Sequence, residues 1–201
     1  MAEATLLQQL NGEIADIIAT AGRSLVKVRH AAGNGAGAGI IVHADGLILT
    51  NAHVLHHRSF DVIFADERVF PAKVLAIDPE LDLAALSVNA HQLPTLELGD
   101  SKNLRPGSLV FALGHPWGVT GAVSAGSVIN IGRPPELPTS NVFIQSDLQL
   151  RPGHSGGPMI DAQGRLVGIN TMITGPEVGL AIPVDVVKGF LAETFEVKRT
   201  I

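Results

Sequence analysis

The chain has 201 residues, of which 46% are hydrophobic and 16% charged, so it is long and apolar enough to fold around a core. It contains no cysteine, which excludes disulfides, zinc–thiolate sites and cysteine catalysis. A formal net charge of −5 argues against nucleic acid as a partner, because phosphate binding requires a basic surface. No apolar run approaches the ~20 residues of a membrane span. Met1–Ala4 lacks the features of a signal peptide, which predicts a cytoplasmic protein or the processed form of an exported one.

The first predicted element is an amphipathic helix over residues 1–22, because Leu6, Leu10, Ile14 and Ile17 recur at helical spacing before Gly22. Short β-branched runs separated by glycine turns then follow. They are Ser24–His30, Gly39–Val42, Leu47–Thr50, Asp61–Phe64, Val69–Ile77, Leu83–Val88, Leu109–Leu113, Val123–Ile131, Val142–Gln145, Leu166–Ile173 and Gly179–Ile182. Many short strands at close spacing predict an all-β barrel or sandwich.

Residues 88–106 end in several turn-forming residues and are the best candidate for a linker between two halves. We therefore predict an N-terminal β half over residues 23–98 and a C-terminal β half over residues 99–183. A final helix is expected over residues 184–201, opened by Pro183, whose fixed φ suits a first helical position.

The segment Gly153–Pro158 reads Gly-His-Ser-Gly-Gly-Pro and marks Ser155 as a candidate nucleophile. Flanking glycines leave a hydroxyl accessible and let backbone N–H groups turn toward a developing oxyanion. The pattern is short, and a plain glycine turn fits it equally well when it is taken alone. It also matches the nucleophile elbow of α/β-hydrolases, but those enzymes need a histidine after the serine, and none follows Ser155.

The order His53, Asp82, Ser155 is that of chymotrypsin-like proteases. His53 stands just past an apolar strand, and Asp82 is a single carboxylate in an apolar run, where a buried carboxylate has to be paired. Asp61 is the alternative carboxylate.

Two further histidines, His56 and His57, raise the alternative of a metal site beside His53. No acidic residue shares their spacing and no His-Glu-x-x-His pattern occurs, so we expect no metal.

These segments together resemble the HtrA (Deg) family of serine proteases over residues 14–190. The matching segments are Gly39–Val54 around the histidine, Asp78–Ala84 around the aspartate, Ile144–Asp147 leading to Gly153–Pro158 around the serine, and the turns at Gly114–Gly118 and Gly179–Pro183. The resemblance implies a chymotrypsin-like fold of two six-stranded β-barrels with the site in the cleft between them. It also implies protein or peptide substrates and neither metal nor cofactor.

The resemblance gives each residue an expected role. Ser155 attacks the substrate carbonyl, His53 takes its proton, and Asp82 orients His53. The oxyanion loop is formed by Gly153, His154 and Ser155, with the N–H groups of Gly153 and Ser155 as the expected donors.

In chymotrypsin-like folds the residue six positions before the nucleophile lies at the base of the primary specificity pocket. That residue is Gln149 here, and the strand with Ile169 and Asn170 is expected to form the wall of the pocket. Gln149 carries no charge to pair with a buried Lys or Arg, and Ile169 would narrow the pocket. We therefore expect cleavage after small or medium aliphatic residues.

The chain departs from the family pattern in three ways. His154 stands where the family normally has asparagine. Only 18 residues follow Pro183, too few for the PDZ domain that the family usually carries, so we expect no PDZ gating within this chain. No aromatic residue precedes Phe60, so trimerisation through N-terminal aromatic side chains is not expected, although the opening helix leaves a homo-oligomer open.

The predicted function is that of a serine endopeptidase, with a role in protein quality control. The alternative is a catalytically silent binding or chaperone protein with a protease fold. That alternative is disfavoured because such a protein usually lacks a member of the triad, and His53, Asp82 and Ser155 are all in place.

Overall fold

The structure, a computed structural model, describes residues 5–30, 36–55, 59–174 and 178–199. Within those residues the chain forms two closed antiparallel β-barrels of six strands each, with a helix before the first and after the second. In chain order the elements are α1 (Leu6–Gly22), β1 (Leu25–His30), β2 (Ala36–His43), β3 (Leu47–Thr50), β4 (Phe60–Ile63), β5 (Val69–Asp78), β6 (Leu83–Ser87), β7 (Leu109–Gly114), β8 (Ala122–Gly132), β9 (Phe143–Ser146), β10 (Pro158–Asp161), β11 (Leu166–Thr174), β12 (Val178–Pro183) and α2 (Val184–Arg199). Short 3₁₀ turns at Ala52–Val54 and Pro116–Gly118 follow β3 and β7.

The two barrels share one design. The strand order is β1-β2-β3-β6-β5-β4 in the first barrel. In the second barrel, written in the same direction, it is β7-β8-β9-β12-β11-β10, which is the same pattern. Each barrel has its own apolar interior, with Val26 and Ile48 in the first and Val110 and Met159 in the second. A further cluster of buried residues packs between the barrels and includes Ile40 from the first and Phe111 from the second. The two barrels are therefore packed against each other through an apolar interface.

The predicted all-β double barrel with its two helices is confirmed, and eleven of the strands lie where short β-branched runs predicted them. Strand β10 was not predicted, because its four residues begin with Pro158 directly after a glycine turn and give too short a pattern to recognise. Strand β2 begins earlier than predicted. Its glycines pair with β1, Gly37 opposite Val28 and Gly39 opposite Val26, so glycine continues a strand that sequence reasoning begins only at Gly39.

The helices lie at the edges of the barrels. Helix α1 begins with a capping box in which Thr5 accepts a hydrogen bond from the Gln8 N–H. The prediction that Pro183 opens the last helix is wrong. Pro183 is the last residue of β12 and pairs with Gly168, and α2 begins at Val184. In the part of the chain that the structure describes, no helix is long and apolar enough to cross a membrane.

Candidate active site

His53 lies on the 3₁₀ turn that follows β3, at the edge of the first barrel. The turn is tied to the neighbouring loop through one carbonyl, because Asp82 O accepts hydrogen bonds from Ala52 N–H at 3.2 Å and from Asn51 Nδ2 at 2.9 Å. The backbone N–H of His53 itself donates to Asp82 Oδ1 at 3.0 Å. These bonds fix the position of the imidazole relative to the carboxylate before the two side chains interact.

Asp82 holds the imidazole of His53 directly. Its Oδ2 lies 2.8 Å and its Oδ1 3.0 Å from His53 Nδ1, so Nδ1 carries the proton and Nε2 is left as the acceptor. The backbone of Asp82 has a φ of +55°, a conformation that side chains rarely adopt and that tends to occur at functional sites. Burial raises the pKa of Asp82, but hydrogen bonds from His53 and from the Thr171 hydroxyl outweigh it and hold the pKa below its ordinary value. The carboxylate is therefore ionised at neutral pH.

Thr171, in β11 of the second barrel, is a site residue that sequence reasoning missed. Its hydroxyl donates to Asp82 Oδ2 at 2.6 Å, so it ties the carboxylate of the first barrel to a strand of the second. No local motif marks this threonine, which lies within an ordinary apolar strand. Only the three-dimensional meeting of the two barrels reveals it.

The loop with Ser155 is anchored to both barrels. Ser155 O accepts a hydrogen bond from Ala38 N–H of β2 at 2.8 Å, and Gly156 N–H donates to Asn170 O of β11 at 2.9 Å. Gly156 has a φ of +82° and lies against Ala38 O and the Thr50 hydroxyl, so no side chain fits there. The glycine directly after the serine is thus needed for the close approach of the loop to the first barrel.

The hydroxyl of Ser155 forms no hydrogen bond with His53 in this structure. Its Oγ donates to the carbonyl of Thr171 at 2.8 Å. Predicting the triad from the sequence implied a hydrogen bond to the imidazole, and the observed partner is different because a β11 carbonyl lies within reach of the same hydroxyl. His53, Asp82 and Ser155 nevertheless meet in the cleft between the barrels, with Thr171 contacting both Asp82 and Ser155.

Two of the three predicted oxyanion residues present a free backbone donor. Among the residues that the structure describes, the N–H groups of Gly153 and Ser155 donate to no protein acceptor. The N–H of His154, the middle residue of the loop and not an expected donor, donates to Arg151 O at 2.9 Å and closes a tight turn. Gly153 has a φ of +106° and approaches the carbonyl of His115, so a residue with a Cβ would not fit there.

The predicted pocket residues are not in the pocket. A cavity of about 270 Å³ lies beside Ser155 and is lined by Leu150, Arg151, Pro152, His154, Ser155, Thr171, Met172 and Ile173. Gln149 instead points to solvent and accepts a hydrogen bond from Arg151 Nη2. Ile169 is fully buried in the core, and Asn170 is buried with its Nδ2 donating to Pro158 O. Ile169 and Asn170 lie in the buried part of β11, and the strand lines the cavity only from Thr171 onward, next to the irregularity in its pairing with β12 between Asn170 and Met172.

The sequence offered an alternative carboxylate, Asp61, and an alternative metal site with His56 and His57. Asp61 lies on β4, 3.4 Å from the guanidinium of Arg29, and not beside His53. His56 and His57 lie outside the described residues, so the structure does not bear on them. Within the described ranges, no group of three or more His, Asp or Glu side chains could hold a metal ion.

Comparisons with known proteins agree with this fold. The family model of the trypsin-like peptidase domain matches residues 37–169. A DegP-like periplasmic serine endoprotease of Hahella chejuensis is 44% identical over 81% of this chain and 37% of its own length. The mitochondrial serine protease HTRA2 of Drosophila willistoni is 37% identical over 81% of this chain and 39% of its own length. The solved structure of the HtrA-type protease AlgW with a tripeptide superposes with a TM-score of 0.86 at 32% identity, covering 92% of this chain and 64% of that one.

The chain therefore belongs to the trypsin-like peptidase family, whose members are serine-type endopeptidases built on two β-barrels. Within that family it belongs with the HtrA (DegP) proteases, as its relatives and structural neighbours show. It spans less than half the length of the curated relatives described above.

Proposed function

We propose that this chain hydrolyses peptide bonds of protein substrates through an acyl-enzyme formed on Ser155. The observation that carries the proposal is the hydrogen-bonded chain from Thr171 Oγ1 to Asp82 to His53 Nδ1, with Ser155 beside it in the cleft. An ionised carboxylate on Nδ1 keeps the imidazole in the tautomer whose Nε2 accepts a proton, and it stabilises the imidazolium that forms.

The first step requires a small rearrangement of Ser155. Its hydroxyl has to leave Thr171 O, to which it donates in this structure, and rotate about the Cα–Cβ bond toward His53 Nε2. Catalytic hydrogen bonds often form only in the substrate complex, so this resting geometry is compatible with activity. After rotation, Oγ attacks the scissile carbonyl carbon and His53 takes the hydroxyl proton.

The oxyanion that results is stabilised by the free N–H groups of Gly153 and Ser155. His53 then donates its proton to the leaving amine, and the peptide bond breaks to give an ester on Ser155. A water molecule enters, gives a proton to His53 and attacks the ester, which releases the acid product and restores Ser155.

The cavity beside Ser155 supports a preference for aliphatic residues before the scissile bond. Leu150, Met172 and Ile173 supply apolar surface, and about 270 Å³ suits a branched side chain of medium size. The lining includes no carboxylate, whereas Arg151 is part of it, so a Lys or Arg side chain would enter beside a like charge without a partner. An extended segment has to enter this cleft, which favours unfolded proteins as substrates and a role in protein quality control.

The nucleophile is tested by comparing purified wild-type protein with Ser155→Ala on casein and on an aliphatic fluorogenic peptide. Triad members act as a unit, so the variant should lose at least ~10³-fold in kcat while its circular dichroism is unchanged. Labelling by a fluorophosphonate separates this enzyme from a silent binding protein, because the probe requires an activated serine. Undiminished proteolysis by Ser155→Ala would falsify the assignment.

Mapping of cleavage sites tests the pocket independently. We expect most cuts in an unfolded protein to follow Val, Ile, Leu or Ala, and the same protein in its native state to be cut far more slowly. A majority of cuts after Lys and Arg, or after Phe and Tyr, would contradict the reading of the pocket and leave the triad untouched.

A further inference from the structure

His154 is a buried titratable residue beside the nucleophile, and the mechanism above does not use its side chain. The residue is 4% exposed, and its ring lies against β7 at Gly114. A Cβ at Gly114 would stand 2.7 Å from His154 Cα and 3.1 Å from its Cδ2, so glycine at this position leaves the room that the imidazole occupies. The ring is therefore built into the end of the second barrel.

The imidazole of His154 closes the turn that carries Gly153. Its Nδ1 accepts a hydrogen bond from Arg151 N–H at 3.0 Å, while the backbone N–H of His154 donates to Arg151 O at 2.9 Å. Two bonds thus join the same pair of residues across Gly153. On the opposite side, Gly153 O accepts from His115 N–H at 2.9 Å, which fixes the Gly153–His154 peptide. The Pro152–Gly153 peptide, which carries the Gly153 N–H, lies inside the turn that the two bonds between His154 and Arg151 close.

We propose that the neutral imidazole of His154 is the positioning group for the oxyanion donor of Gly153, and that its protonation releases the turn at residues 151–154 and lowers turnover. The inference rests on the proposed function, since it assigns Gly153 N–H to the oxyanion. A protonated Nδ1 is a donor, so it would face Arg151 N–H with no lone pair to offer. The same nitrogen lies 3.2 Å from Arg151 O, and protonation would draw it toward that oxygen and shift the turn.

The surroundings of His154 oppose its protonation. Burial lowers the pKa of His154 and the neighbouring charge of Arg151 lowers it too, whereas a contact with the Arg151 carbonyl raises it, with a net shift below the ordinary value. From the segment after β7, His115 interacts electrostatically with His154, and Lys27 of β1 interacts with His115; burial is the main reason that the pKa of His115 is lowered too. Among the described residues no carboxylate pairs with His154, and its buried Nε2 has no hydrogen-bond partner.

The sign of the pH effect follows from this direction. A neutral His154 is the competent form, so activity is retained above its pKa and is lost as the pH falls through that lowered value. His53 must also be neutral to act as a base. Because two groups must both be neutral, the acid limb of log kcat/KM should approach a slope of two at low pH, an extra loss of about tenfold for each pH unit compared with a single essential base.

Two variants separate the acceptor from the titration. In His154→Asn the side-chain Oδ1 takes the place of Nδ1 as an acceptor but does not titrate, so the acid limb of log kcat/KM should keep a slope of one, whatever the value of kcat at pH 8. His154→Leu has a similar volume and no acceptor, so kcat should fall on the order of 10²-fold with little change in KM. The matched control is His115→Asn, which retains the backbone N–H that donates to Gly153 O. Its acid limb of log kcat/KM should steepen as in wild type.

A fluorescence titration reads the loop without catalysis. Trp117 is the single tryptophan of the chain, and the guanidinium of Arg151 lies 6.0 Å from its ring centroid. In Ser155→Ala protein, Trp117 emission should change with one acid transition at constant far-ultraviolet circular dichroism, and His154→Asn should abolish that transition. A transition that persists in His154→Asn, or one that disappears in His115→Asn instead, would overturn the proposal even if the chain proves to be an active protease.

Discussion

Replacing Thr171 with valine tests the link that joins the carboxylate of one barrel to a strand of the other. The change keeps the shape of the side chain and removes the hydroxyl that donates to Asp82 Oδ2 at 2.6 Å. A hydrogen bond to a charged group contributes about 1.5–3 kcal/mol, so the free energy of unfolding at pH 7 should fall by about that amount. The pKa of Asp82 should also rise toward its ordinary value, because the Thr171 hydroxyl is one of the groups that stabilise the charged carboxylate.

The pH dependence of this loss has a definite sign. The pKa of Asp82 is lowered in the folded state, so its stabilising contribution is present above the ordinary value of 3.8 and is lost as the pH falls through the folded-state pKa. The difference between wild type and Thr171→Val should therefore be largest near neutral pH and shrink below pH 4. If about half of the lost energy is also lost in the transition state, kcat falls about tenfold.

Urea unfolding at several pH values and steady-state kinetics on an aliphatic peptide provide the two measurements. Thr171→Ser, which keeps a hydroxyl at the same place, is the control and should resemble wild type in both. Equal stability and equal kcat for the valine and serine variants would show that the hydroxyl contributes nothing, and the assigned role of Thr171 would be wrong.

Two further predictions concern the carboxylate and the serine loop. Asp82→Asn should cost on the order of 10⁴-fold in kcat by favouring the wrong imidazole tautomer, whereas Asp61→Asn, which breaks only a contact with Arg29, should remain active; the reverse result would reassign the carboxylate. Gly156→Ala should lower the free energy of unfolding by about 2 kcal/mol or more and reduce activity, because the position combines a positive φ with crowding against β2 and β3. The control is Gly189→Ala in α2, where the added methyl group meets open space; in urea unfolding it should raise the free energy of unfolding by about 0.5–1 kcal/mol.

The fold could be predicted largely from local patterns. Runs such as Leu47–Thr50 carry their β character in a few branched side chains bounded by turn residues, and their observed bounds match the expected ones. The meeting of His53 with Asp82 was also predictable, because a buried carboxylate in an apolar run needs a partner and chain order restricts the choice.

The remaining features of the site depend on strand register and on contacts between the barrels. Which residues of β11 reach the cavity depends on where the buried part of the strand ends, and an irregularity in its pairing with β12 falls between Asn170 and Met172. The contact of Thr171 with Asp82 spans 89 positions in the sequence, so no local signal could mark it. The turn that the N–H of His154 closes could not be predicted either, because a hydrogen bond between backbone groups gives no pattern in the sequence.

The distribution of the site over the two barrels has a consequence for how such an enzyme can be controlled. His53 and Asp82 belong to one barrel and Ser155 and Thr171 to the other, and hydrogen bonds from Ala38 N–H and Thr171 Oγ1 hold the halves in alignment. Neither half contains a working catalyst alone. A shift of one barrel relative to the other by about 1 Å would move the nucleophile away from the base and leave the apolar interior of each barrel intact. Such a shift changes the rate of catalysis by about 10²-fold, whereas the folding energy of each barrel stays almost constant.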